Sequence, residues 1–69
     1  MNNENIKSVA VCEFQDDEGI TALVIHQTQT EIKNSDVYYA VFDTGKLTRA
    51  YKKLEDLKNF LMSIGFQEI

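Results

Sequence analysis

A thiol and an imidazole are the side chains best suited to nucleophilic chemistry, and this 69-residue chain has one of each, Cys12 and His26. A catalytic pair needs the thiol's pKa lowered by a base beside it. His26 is the one candidate base, and a hairpin would bring the two segments side by side. No loop that would cradle an oxyanion or a phosphate accompanies them. A cysteine within an apolar strand is ordinarily a small buried side chain. One His and one Cys fourteen residues apart also fall short of a zinc pattern, which takes three or four ligands. The acidic run Asp16-Asp17-Glu18 before Gly19 lacks the alternate spacing of a calcium loop. Gln27 stands where that loop requires its distal Glu. The expectation is therefore a protein that is not an enzyme and holds no cofactor or metal.

Charge offers a second kind of chemistry. The chain carries a net charge of −4, unevenly spread. Residues 1–36 hold seven acids and two bases, and residues 37–69 hold four acids and five bases. Lys46, Arg49, Lys52 and Lys53 cluster beside Tyr51, with Tyr38 and Tyr39 a short way upstream. Bases interleaved with aromatic rings can track a single-stranded nucleic acid, and these four are the residues for such a contact. The overall negative charge and the lack of a ribonucleoprotein motif weigh against it. The acidic half raises a contrary alternative, a small inhibitor that mimics DNA toward a nucleic-acid enzyme.

The elements that must position these residues follow from patterning. Residues 1–5 are polar and unpatterned and read as a flexible tail, leaving residues 6–69 as a single domain. Lys7 to Phe14, Ile20 to about Ile32, and Val37 to Asp43 are rich in β-branched and aromatic residues and read as strands. The first two are joined by the acidic loop closed by Gly19, the next two by Lys33-Asn34-Ser35-Asp36. Asp43-Thr44-Gly45-Lys46 reads as a tight hairpin with Gly45 in the left-handed position. Leu47 to Tyr51 then returns as a short fourth strand. In a rival reading Thr48 caps a longer helix and the sheet has three strands. From about Lys53 to Ile64 the period changes: Leu54, Leu57, Leu61 and Ile64, with Phe60, share one helical face. Gly65 falls at the position that ends a helix, with Phe66 folding back. The fold class is α+β: an antiparallel β-meander of three to four strands with one C-terminal helix packed on one face, in the order β-β-β-β-α.

A half-solvated sheet alternates apolar and polar residues, and these strands do not. Val9, Val11, Leu23, Ile25, Val37, Tyr39 and Val41 form one set. Ala10, Cys12, Phe14, Ala22, Val24, His26, Tyr38, Ala40 and Phe42 form the other. One helix covers one face, so the second set needs another cover. A chain this short, with one cysteine and hence no internal disulfide, also has little core to stabilise it. The expected function is thus a small non-catalytic protein-interaction module, self-associating as a homodimer through the sheet face the helix leaves bare. The contact would use Tyr38, Ala40 and Phe42, or their alternates Tyr39 and Val41. No apolar run approaches a membrane span, the polar residues 1–5 do not read as a signal peptide, and with a lone thiol the expected location is the cytoplasm.

Overall fold

A computed structural model describes residues 6–30, 32 and 35–69; the tail assigned to residues 1–5, and Lys33 and Asn34 of the second turn, lie outside the described residues. Three long segments of β-branched and aromatic residues form β1 (Ile6–Gln15), β2 (Thr21–Gln29) and β3 (Val37–Phe42). The helix α1 (Leu54–Ser63) follows, then a two-residue strand β4 (Gln67–Glu68). All pairings are antiparallel in one sheet of order β3-β2-β1-β4. The α+β sheet-plus-helix architecture read from the sequence is the one observed. Its fourth strand, however, follows the helix and pairs with β1 at Phe14 and Gln15.

The segment from Leu47 to Tyr51 does run back along β3, but in place of a continuous ladder it forms two isolated bridges, Val41 with Leu47 and Tyr38 with Tyr51. The turn before it forms as its glycine requires. Gly45 takes a φ of 92°, its N–H donates to the Phe42 carbonyl at 2.8 Å, and the Phe42 N–H donates to the Lys46 carbonyl at 2.8 Å. That geometry is a turn whose left-handed third residue costs little only for glycine.

The helix forms where the apolar period predicts it. Lys53 enters in extended conformation and supplies no side-chain cap, while Glu55 and Asp56 in the first turn favourably meet the positive end of the helix dipole. Its end is tightly specified. The Gly65 N–H donates to the Met62 carbonyl at 3.1 Å and the Phe66 N–H to the Leu61 carbonyl at 3.0 Å. This pair of bonds closes the helix through a left-handed residue, and Gly65 has a φ of 98°. The reversal drops Phe66 into the core beside Leu61 and aims the chain at the β1 edge. Ile64, counted in the apolar stripe from sequence, has already left helical geometry at the C-cap and is exposed. Phe66 takes its place.

The core lies between α1 and one face of the sheet. Phe14, Ala22, Val24 and Ala40 meet Leu57, Leu61 and Phe66, all buried. Ala22 and Ala40 carry nothing beyond Cβ, which lets the helix seat close to the sheet. Around them pack Cys12, Ile20, Tyr38, Phe42, Tyr51, Leu54 and Phe60. Full burial of an aliphatic side chain such as Leu61 stabilises by about 1.5–3 kcal/mol. Truncation adds the cavity it leaves.

Leu61→Ala should lower unfolding free energy in urea by about 2–5 kcal/mol, most of what a domain of this size possesses. Gly65→Ala adds no clash, since nothing lies within 4 Å of a Cβ there. It should still cost about 1–2 kcal/mol, from the left-handed backbone alone.

Candidate interaction surfaces

Cross-strand partners share a face, so the register assigns every strand residue. One rung joins Phe14, Ala22 and Phe42, the next like-facing rung Cys12, Val24 and Ala40, and a third Val9, His26 and Tyr38. These face α1. The alternate rungs are Glu13-Leu23-Val41, Ala10-Ile25-Tyr39 and Ser8-Gln27-Val37, and they face the other way. The register shifts between Ala10 and Cys12, with Val11 as the extra residue of a β-bulge. This bulge reverses the parity of β1. Val9, grouped by alternation with Leu23 and Ile25, sits on the helix side, and Ala10 joins the opposite face instead.

Of the five residues expected at a contact, Tyr38, Ala40 and Phe42 therefore turn toward the helix. The Tyr38 ring stacks on His26 at 4.4 Å and 11°, Ala40 is fully buried, and Phe42 packs on Phe66 at 5.5 Å. Tyr39 and Val41 lie on the bare face with Leu23, Ile25 and Val37. Leu47, bridged to Val41 and 61% exposed, extends this face past β3. No helix or strand among the described residues lies over it. Eight apolar side chains stand there, Ile6 and Ala10 included, with Glu13 and Ser8 on β1 and Gln27 on β2. Leu47, missed as a surface residue by sequence reasoning, was signalled by the hairpin turn before it.

The bases Lys46, Arg49, Lys52 and Lys53 are all exposed. The Arg49 guanidinium lies 6.0 Å from the centre of the Tyr51 ring, at the limit of a cation–π contact. Tyr51 itself tilts against Phe60 at 6.1 Å within the core periphery. Tyr38 is stacked on His26, so two of the three rings proposed as stacking platforms already have partners. Tyr39 points away on the other face.

Cys12 and His26 occupy neighbouring rungs of the helix side but have different partners. Burial pushes the Cys12 thiol above the ordinary 9.0, and the Glu68 carboxylate nearby raises it further, with Lys58 pulling the other way. A thiol held protonated is the reverse of what a nucleophile requires. The His26 Nε2 is turned toward Asp36 at 3.6 Å, buried and without a hydrogen bond. Asp16 is a loop anchor. Its Oδ1 accepts from the Ile20 N–H at 2.8 Å and from the Glu18 N–H at 3.0 Å. The shallow depression between that turn and the Gly65–Ile69 tail thus has one of its carboxylates engaged by backbone. Another, Glu68, pairs with Lys58 at 3.2 Å.

The two edges of the sheet differ. On β3 the outward groups of Tyr38, Ala40 and Phe42 are met by the returning segment. Tyr38 and Tyr51 exchange bonds at 2.7 and 2.8 Å, and the Thr48 N–H donates to the Ala40 carbonyl at 3.0 Å. The Ala40 N–H donates to the Thr48 hydroxyl at 2.9 Å, a side chain standing in for a backbone carbonyl. On β1, β4 meets Phe14 and Gln15, and the Ile69 N–H reaches the Glu13 carbonyl at 2.9 Å. Among the described residues no strand lies along the outer side of Ile6–Val11.

Comparison with known proteins returned no matching family model, no matching curated protein and no matching solved structure.

Thr48→Val, nearly isosteric, removes the acceptor of the Ala40 N–H. It should destabilise by about 1–3 kcal/mol and speed hydrogen exchange at Ala40 more than elsewhere in β3. For Cys12, folding favours the protonated thiol, so its contribution to stability is intact below pH 9.0 and is lost as pH rises through the elevated folded value. Alkylation of Cys12 should therefore rise with pH along a curve displaced above that of an exposed thiol, and coincident curves would refute the assignment.

Proposed function

We propose that this protein is a non-catalytic interaction module that self-associates through the sheet face opposite α1. The observation carrying the reading is the in-register set Leu23, Ile25, Tyr39 and Val41, with Leu47 and Val37 beside it, over which no element of the described chain lies. Leu23 remains 39% exposed and Leu47 61%. Contiguous apolar patches of this kind are rare on monomers. Among the described strand residues of this face Glu13 is the one ionic group, so they give a strongly charged partner little to recognise. A second copy presents a surface of the same character, and closed two-fold dimers are the commonest assembly. Packing two such faces about 10 Å apart would make a four-layer arrangement, helix-sheet-sheet-helix. It would also supply the apolar burial that a small domain with one free cysteine cannot find in a disulfide. The unoxidised thiol suits a reducing compartment such as the cytoplasm.

The alternative of a nucleic-acid platform rests on Lys46, Arg49, Lys52 and Lys53 alone once Tyr38 and Tyr51 are counted with the core. It stands as the weaker reading.

Tyr39→Lys and Val41→Lys each place a charge in the middle of the bare face without touching the core. Each should weaken self-association by about 30-fold, the equivalent of about 2 kcal/mol, while the circular dichroism spectrum stays that of the parent and the urea midpoint falls toward the value the parent shows on dilution. Sedimentation equilibrium reads the change. A parent chain whose mass is unaffected by either substitution would remove the face from consideration.

A further inference from the structure

We infer that the outer edge of β1, over Ile6–Ala10, pairs antiparallel with the same segment of a second copy around a two-fold axis at Ser8. This is a contact separate from the bare sheet face.

Backbone alternation fixes which groups are available. The outward donors of β3 are Tyr38, Ala40 and Phe42, as their bonds to Tyr51, Thr48 and Lys46 show. Val37, Tyr39 and Val41 therefore bond inward to their β2 partners Gln27, Ile25 and Leu23. It follows that Ala22, Val24, His26 and Thr28 bond toward β1, to Phe14, Cys12, Val9 and Lys7. The outward groups of β1 are then those of Glu13 and Gln15 beyond the bulge and of Ile6, Ser8 and Ala10 before it. The Ile69 N–H on the Glu13 carbonyl agrees with this assignment. Three residues with both backbone groups facing outward remain, and among the described residues nothing pairs with them.

The same stretch is exposed on both faces. Every residue from Ile6 to Val11 is exposed. Val9 points to the helix side yet is 58% exposed, because α1 does not reach this end of the sheet. Natural edges are usually blunted by proline, by several charges or by a covering segment. Here Lys7 is the one charged residue from Ile6 to the bulge at Val11.

The side chains select the occupant. Turned about Ser8, the strand meets its own copy with Ile6 opposite Ala10, large against small, on the bare side. Lys7 lies opposite Val9 on the helix side, where its methylene stem can cover the valine and leave the ammonium in water. Ser8 meets Ser8. Six backbone hydrogen bonds form, two in each of three hydrogen-bonded pairs, and the bulge and β4 set the limit of the contact at its far end.

The test uses the full chain. Ser8→Pro removes an N–H directed away from β2 and leaves the donors of the β1–β2 ladder in place. Its mass by sedimentation equilibrium should fall to half that of the parent. Tyr39→Lys should halve the mass independently, and the double variant should run as one chain. A mass for Ser8→Pro equal to the parent's overturns the edge contact, whereas an unchanged mass for Tyr39→Lys overturns the face and leaves the edge standing. Cross-linking decides the matter if Ser8→Pro fails to fold. In a Cys12→Ser background, Lys7→Cys mixed with Val9→Cys brings two thiols opposite each other at a Cα separation of about 4.5 Å, within disulfide reach. The mixture should give several-fold more linked pair under mild oxidation than either variant alone. Because both positions face the helix side, a contact through the bare face cannot produce this result. Equal yields from the mixture and the single variants overturn the proposal.

Discussion

Burial of Leu57 and Leu61 over Phe14, Val24, Ala22 and Ala40 is the interaction on which every other part of the structure depends. An isolated hairpin is marginally stable at best in water, and a small sheet needs a further strand or a helix against its apolar face; here one ten-residue helix supplies that layer. Its docking sets the face that becomes interior. Its termination at Gly65 drives Phe66 inward and lays Gln67–Glu68 beside β1. The same economy creates the opposing feature. A single helix about 15 Å long cannot wrap a sheet, and the apolar residues of the far side stay partly exposed, Leu23 and Leu47 most clearly.

The side chains that look chemical in the sequence are held by structure. The Cys12 thiol packs at the core's margin beside Glu68. His26 stacks on Tyr38, and Asp16 ties the first hairpin through two backbone N–H groups. Thr48, which looked like a helix cap in one reading of the sequence, completes the β3 ladder with its hydroxyl. Asp16 and Thr48 answer local backbone demands, and the Cys12 and His26 side chains pack against their neighbours. Neutralising Asp16 to probe an acidic surface would therefore also loosen the hairpin.

Much of this fold was legible from residue order because its signals are local. The β-branched runs, the Asp43–Lys46 turn with Gly45, the change of period at Leu54 and the stop at Gly65 each lie within a few residues of what they cause. Three features were not legible, and all depend on distant partners. The bulge at Val11 leaves no mark on composition, yet it moves Val9 and Ala10 to opposite sides. Strand β4 consists of a Gln and a Glu with no strand propensity, paired only because the helix end delivers them to β1. The returning segment Leu47–Tyr51 has the composition of a strand but bonds partly through a side chain, so it forms bridges without a ladder. The bare face was legible as a quantity of apolar surface. Its identity, Tyr39 and Val41 over Tyr38, Ala40 and Phe42, waited on the register.

The Thr48 arrangement has a further consequence for growth. A sheet with two open edges can recruit copies end on end without limit, which is the geometry of fibres. This one is sealed along β3 by its own chain, so among the described residues the long strand edge left open is the outer side of Ile6–Val11, beside the two-residue β4. Any pairing there uses that edge in both participants. The chain thus carries its own terminator: one hydroxyl and a five-residue return convert an aggregation template into a surface that can be satisfied once.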